Sequence, residues 1–232
     1  MNNILYLMPK LDWYALVCFL CVWWGYIGLT NRGKFHQRSL LAVTNRYRKY
    51  WMKQATMRDP RMLDGLITQT LSSTPAFFSS TTIIVIGGLF ALLGSTDKAA
   101  ELVREIPFAA TTPPVVFEAK IILLLAIFTY AFFRFSWSMR QYTFVALAIG
   151  GMPPPEEFQE GKFDANLYAE RAALLVGKAA QAFNDGLRSY YFSFAALAWF
   201  FSPWAMMTAS AIVVFVLYSR EYHSDVLTIL ED

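Results

Sequence analysis

The feature that most constrains this chain is a series of apolar runs of bilayer length. A helix needs about 20 mostly apolar residues to cross the hydrocarbon layer. "AFFSSTTIIVIGGLFALLG", Ala76–Gly94, carries no charge over its whole length. "VVFEAKIILLLAIFTYAFF", Val115–Phe133, carries two, both near its start, and Trp13–Leu29 carries none. A fourth run, Leu187–Ser219, is too long for one simple crossing, and Pro203 divides it. Proline lacks an amide donor and clashes with the preceding turn. The run is therefore expected as a tight hairpin, Leu187–Ser202 and Trp204–Ser219, with Trp199 and Trp204 at the interface; a single kinked span is the alternative. Composition agrees. Only 16% of residues are charged and 56% are hydrophobic, against about 25% charged in an average soluble domain. The expected fold class is all-α: a polytopic transmembrane helical bundle of four or five spans, forming one membrane domain over residues 1–232.

The N-terminal stretch has no basic n-region and no A-x-A site, so it reads as a retained anchor. Orientation follows from the Lys/Arg distribution. Sixteen of the twenty basic residues fall in residues 31–75, in 134–188 or at Arg220; Lys10, Lys98, Arg104 and Lys120 fall on the other side. The positive-inside rule places the richer side in the cytoplasm and the N-terminus outside. Five spans put the C-terminus in the cytoplasm and four put it outside. The expected location is the bacterial inner (cytoplasmic) membrane.

Long helices should project from that side. Ser39 can cap a helix running to about Arg58. Asp59-Pro60 reads as an N-cap with proline at the first helical position, restarting a helix to about Ser73. Thr74-Pro75 repeats the signal and would begin the second span. "GGMPPPEEFQEG" reads as a linker. Asp164 then caps an alanine-rich helix with no breaker before Pro203 except two isolated glycines. The third span likewise continues as "RFSWSMRQYTFVALAIG". Cytoplasmic amphipathic segments are thus expected at about 39–73 and 164–186.

The densest positive run is "RYRKYWMKQATMRDPR". At 100° per residue, Arg46, Lys49 and Lys53 share one face, and Leu40, Val43, Tyr47 and Trp51 another. Such a helix either lies on acidic headgroups or docks its apolar face on the bundle. Arg46, Lys49, Trp51 and Lys53 are the candidate headgroup-binding residues. Tethering to the bilayer on both sides disfavours nucleic acid.

"TQTLSSTPAFFSSTT" crowds hydroxyls where the second span begins. Ser79, Ser80, Thr81 and Thr82 either line a path or serve helix packing, and Gly87, Ala91 and Ser95 continue a row of small residues. Glu118 and Lys120 are placed to snorkel to the outer interface, and Arg134 and Arg140 to the inner one. Asp185 and Arg188, three apart on one face, form a candidate polar pair where the fourth span begins. Cys18 and Cys21 read as small apolar packing residues. No hydrolase, zincin or phosphate-loop motif is present, and His36 and His223 are the only histidines. No catalytic residue, cofactor or metal site is assigned.

"NRYRKYWMKQATMRDPRMLDGLITQTLSSTPAFFSSTT" and, much later, "NDGLRSYYFSFAALAWFFSPWAMM" resemble an uncharacterised membrane family, domain of unknown function 599, with members in bacteria and plants. The resemblance runs from about Trp23 to Tyr222. Its anchors are Arg48 to Trp51, Asp59-Pro60, Gln69-Thr70-Leu71, and Gly186-Leu187-Arg188 through Trp199 to Ser202-Pro203. It implies a multi-span membrane protein and brings no activity or site. The expected function is a non-enzymatic accessory or scaffold subunit, or a lipid-interacting component of a membrane assembly. Its partners would be membrane lipids and either copies of itself or another membrane protein. A homo-oligomeric channel or transport-like protein is the alternative, and an intramembrane enzyme ranks last.

Overall fold

A computed structural model describes residues 8–31, 39–96 and 113–231. Arg32, Lys34, His36, Arg38, Lys98 and Arg104 lie outside them. The described residues form eight helices: α1 Lys10–Asn31, α2 Leu40–Ala55, α3 Met62–Gly94, α4 Pro114–Gly150, α5 Pro155–Gln159, α6 Ala165–Ala198, α7 Pro203–Tyr222 and α8 Asp225–Glu231. Among them, four segments are long and apolar enough to cross a membrane: Lys10–Thr30, Met62–Gly94, Pro114–Gly150 and Pro203–Leu230. The expected Leu187–Ser202 stretch is the apolar end of α6 followed by a turn, and α7 starts at Pro203, as the proline rule predicts.

The expected caps are present. Ser39 Oγ accepts the Ala42 amide at 3.2 Å, and Asp164 Oδ1 accepts the amides of Asn166 and Leu167 at 2.9 and 3.1 Å. Each satisfies donors that a helix start leaves unpaired. From Asp164, α6 runs 34 residues without a break, about 51 Å at 1.5 Å per residue.

Two boundaries differ from the sequence reading. The Asp59–Pro60 peptide bond is cis, and α3 begins at Met62. The Gly65 amide bonds the Arg61 carbonyl at 3.1 Å, so Arg61 holds the cap position expected of Asp59. Nor does Pro75 start a new helix: α3 passes through it. Proline at position 75 deletes one backbone bond, the one to the Leu71 carbonyl, and the rest of the 33-residue helix continues on both sides of it.

The chain divides into two compact units. The first takes residues 1–32, 81–132 and 187–220. Its core is aromatic and aliphatic. Ala15, Phe19, Trp23 and Tyr26 of α1 face Ile121, Leu124, Ile127 and Phe128 of α4, Phe192, Ala195, Ala196 and Trp199 of α6, and Met206 and Val213 of α7. Spacings of three and four residues put each set on one helix stripe. Phe192 stacks on Trp23, with ring centroids 5.9 Å apart.

The second unit takes residues 33–80, 133–186 and 221–232. Its core is made of small residues. Ala169, Ala172, Ala173, Val176 and Ala179 of α6 pack with Met52 of α2 and with Tyr142, Val145 and Ile149 of α4. Small side chains let helix axes approach closely. Ser138 Oγ of α4 reaches the Ala179 carbonyl at 2.8 Å. Gly177 lies so close to Asn45 that an added Cβ would stand 2.9 Å from Asn45 Oδ1.

The ends of three helices are tied by one side chain. The Arg61 guanidinium donates to the carbonyls of Ala55, Met152 and Pro153 at 3.0, 3.0 and 2.6 Å. Arg61→Lys keeps the charge but loses the planar fork. It is expected to cost about 1–2 kcal/mol, read as a lower thermal midpoint; an unchanged midpoint would remove this tie from the fold.

Candidate functional site

The basic helix α2 buries a different face from the one expected. Leu41, Val43, Met52 and Ala55 are buried, while Tyr47 and Tyr50 are exposed. The inward side tolerates Arg48 because its guanidinium donates to Asn45 Oδ1 at 2.6 Å and to Thr44 Oγ1 at 3.1 Å. Burial lowers the Arg48 pKa from its ordinary value and the nearby Tyr142 opposes that shift, but a guanidinium stays charged at neutral pH. Tyr47 reaches outward instead, its hydroxyl donating to the Leu230 carbonyl at 3.2 Å. Arg46, Lys49 and Lys53 are exposed, as the helical projection has them. Trp51 stands apart from these cations. It is half-buried, with its indole N–H donating to Asp64 Oδ1 at 2.7 Å. Asp64 is fully buried and pairs with Arg58 at 2.5 Å.

Where α2 meets α6, the exposed cations frame a groove of about 340 Å³. Leu41, Ala42, Asn45, Arg46 and Lys49 line one side, and Glu170, Ala173, Leu174, Gly177, Lys178 and Gln181 the other. Lys49 Nζ pairs with Glu170 Oε1 at 2.9 Å, both ends exposed. Lys178 Nζ reaches Gln181 Oε1 at 3.4 Å. The sequence reading missed the α6 wall. Its only local signal is the 170, 174, 178, 181 spacing on an alanine-rich helix, and nothing local pairs that stripe with residues more than 120 positions earlier.

The hydroxyl cluster on α3 is divided. Ser79 Oγ lies 3.1 Å from Ser136 Oγ, and Thr82 Oγ1 lies 2.7 Å from the Tyr190 hydroxyl. Both are buried and tie α3 to α4 and α6. Ser80 is exposed and Thr81 half-buried.

The buried charges include a partnership that the sequence reading does not name, and Lys120 is not at the interface expected of it. Asp185 pairs with Arg134 of α4. Arg188 is buried, its guanidinium 5.8 Å from the Tyr26 ring centroid. Arg134 is therefore a partner within the fold and not a free snorkelling residue. Lys120 does not snorkel either. It is 1% exposed, and its ammonium stands 5.7 Å from the Trp199 ring centroid and 5.5 Å from that of Phe200. Trp199 in turn donates to Asp12 Oδ1 at 2.7 Å. Two ionisable side chains thus contact one fully buried indole. Glu118 is half-buried. Cys18 is half-buried and Cys21 exposed, so Cys21 does not pack in the core; both are free thiols.

The family model described as "Protein of unknown function, DUF599" matches residues 14–226. The chain belongs to this family. The match covers all seven helices from α1 to α7 apart from the first residues of α1, and reaches into α8. It therefore takes in both walls of the α2–α6 groove and most of the buried charge arrangement. No curated protein and no solved structure matches the chain.

Proposed function

We propose that this member of the family is a non-enzymatic component of the bacterial inner membrane, an accessory or scaffold subunit that engages acidic phospholipids. In this reading the apolar end of α6 makes a fifth crossing beside the four membrane-length segments, so the second unit faces the cytoplasm, the N-terminus lies outside and the C-terminus inside. The observation that carries it is the posture of α2. Its inner face is spent on packing, while Arg46, Lys49 and Lys53 stay exposed in a chain whose described residues include four segments of membrane-spanning length. Basic residues held near a membrane surface attract acidic lipids by about 1 kcal/mol each. Ser79 and Thr82 support the scaffold over a pore, since their hydroxyls are engaged between helices. Gly87 and Ala91 on α3 and Ser95 in the turn just after it are exposed and suit close approach by a second copy or another membrane helix.

Lipid extracted with the protein in polymer nanodiscs provides the test. Acidic phospholipid should be enriched over the bulk membrane. The triple change Arg46→Gln, Lys49→Gln and Lys53→Gln should cut that enrichment by roughly tenfold. Equal enrichment around wild type and triple variant would sink the lipid role of α2.

A further inference from the structure

We infer that the α2–α6 groove is a discrete binding site for a single phosphate group, with Glu170 as the internal carboxylate that the phosphate displaces. This rests on the lipid-engaging reading for its biological setting, but it makes a separate claim. A diffuse basic surface has neither a fixed stoichiometry nor a dependence on α6.

Three features build the site. The first is charge. Arg46, Lys49 and Lys178 converge on one groove against the single carboxylate of Glu170. Arg46 has no ion-pair or hydrogen-bond partner among the described residues. A guanidinium offers a planar fork matched to phosphate oxygens, and the two ammonium groups add point charges. The second is a neutral donor. Asn45 Oδ1 is committed to Arg48 at 2.6 Å, so the groove-lining amide of Asn45 presents its NH2 as donor. The third is shape. The small residues Ala42 and Ala173 line the groove, Gly177 lets α6 close on Asn45, and Leu41 and Leu174 give it apolar flanks. Its volume lies in the range of small-molecule sites. Cations beside an apolar flank suit a phosphate that carries a glycerol or acyl portion.

Glu170 gives the site a reporter. It holds Lys49 at 2.9 Å. An arriving phosphate competes for the same ammonium. Neutralising Glu170 therefore frees a cation for the ligand and removes a repulsion, so affinity rises.

The test uses the full-length chain in detergent micelles, followed by native mass spectrometry. The probes are dioleoyl phosphatidic acid, dioleoyl phosphatidylcholine and, as soluble competitor, glycerol 3-phosphate. One phosphatidic acid should be retained per chain. Lys178→Gln or Arg46→Gln should weaken retention about 5–20-fold, and Glu170→Gln should tighten it about 2–5-fold. A gain of affinity cannot come from a misfolded variant. Displacement by millimolar glycerol 3-phosphate assigns recognition to a soluble phosphate ester, and resistance assigns it to the lipid; both uphold the site. Suppose instead that Lys178→Gln and Glu170→Gln retain phosphatidic acid as wild type does, while the α2 triple variant loses acidic-lipid enrichment. Then the groove is overturned and the surface reading stands. Glycerol 3-phosphate binding without acidic-lipid enrichment sinks the surface reading alone. Wild type that holds phosphatidic acid no better than phosphatidylcholine, and binds no glycerol 3-phosphate, overturns the site.

Discussion

Gly186→Ala is expected to lower the stability of the chain by about 3 kcal/mol, near the upper end of overpacking losses. A Cβ built at Gly186 meets the Phe135 ring at 2.5, 2.7 and 2.9 Å. Phe135 is completely buried, and its ring is flanked by Phe78 and Phe183 with centroids at 5.3 and 5.7 Å. No flexible chain end is there to give way, so α4 and α6 must separate or the ring cluster must repack. Alanine in a helix interior otherwise gains about 1 kcal/mol over glycine. Gly65 supplies the internal comparison. Nothing lies within 4 Å of its built Cβ, so Gly65→Ala should be neutral or stabilising. The two variants should move the thermal midpoint in opposite directions, with Gly186→Ala down by about 6–10 °C. A rise for both would mean that α6 does not approach Phe135 this closely.

That contrast shows what kind of information the sequence carries. An isolated glycine in an apolar helix is visible as a letter. Whether it is a weak point or a contact depends on a ring more than fifty residues earlier. Local signals were legible for the same reason that they are local. Ser39 and Asp164 cap their own helices, and Pro203 stops α6. Uncharged runs of bilayer length announce helices whatever packs on them. The misreadings come where a tertiary contact overrides a local rule. Pro75 looks like a helix start, but it deletes only one backbone bond and α3 continues through it. Asp59 looks like a cap, but the chain turns so that Arg61 holds the helix end. The helical projection assigns Arg48 to neither face, and its bonds to Asn45 and Thr44 hold it on the inward side. The groove was half legible. Its α2 wall is a charge run, whereas Lys178 and Glu170 are ordinary residues on a long helix until α2 is laid beside them.

Lys120 is the largest departure from the local rule, and it carries the second strong prediction. A lysine in the second turn of a membrane helix should snorkel, and its replacement should then cost no more than about 0.5 kcal/mol. The structure buries it instead, its ammonium over the Trp199 and Phe200 rings, while Asp12 accepts the N–H at the edge of the same indole. In such an arrangement the pair as a whole contributes little, but removing one member leaves an uncompensated buried charge. Asp12→Ala removes the acceptor of the Trp199 N–H and the counter-charge of Lys120 together. It should cost about 3–5 kcal/mol. Lys120→Met keeps the shape and the Asp12–Trp199 bond but strands the carboxylate, and should cost about 2–4 kcal/mol. The double variant Asp12→Ala/Lys120→Met removes both charges and keeps the volume at position 120. It should be more stable than Asp12→Ala alone, with a coupling of about 1–3 kcal/mol. Thermal unfolding of the four proteins in one lipid nanodisc preparation measures this directly. Additive losses would show that the two charges do not sense each other, and a silent Lys120→Met would return the lysine to the interface. A double variant that recovers most of the loss makes Asp12, Trp199 and Lys120 one structural unit, joining the first turn of α1 and the second turn of α4 to the turn that follows α6.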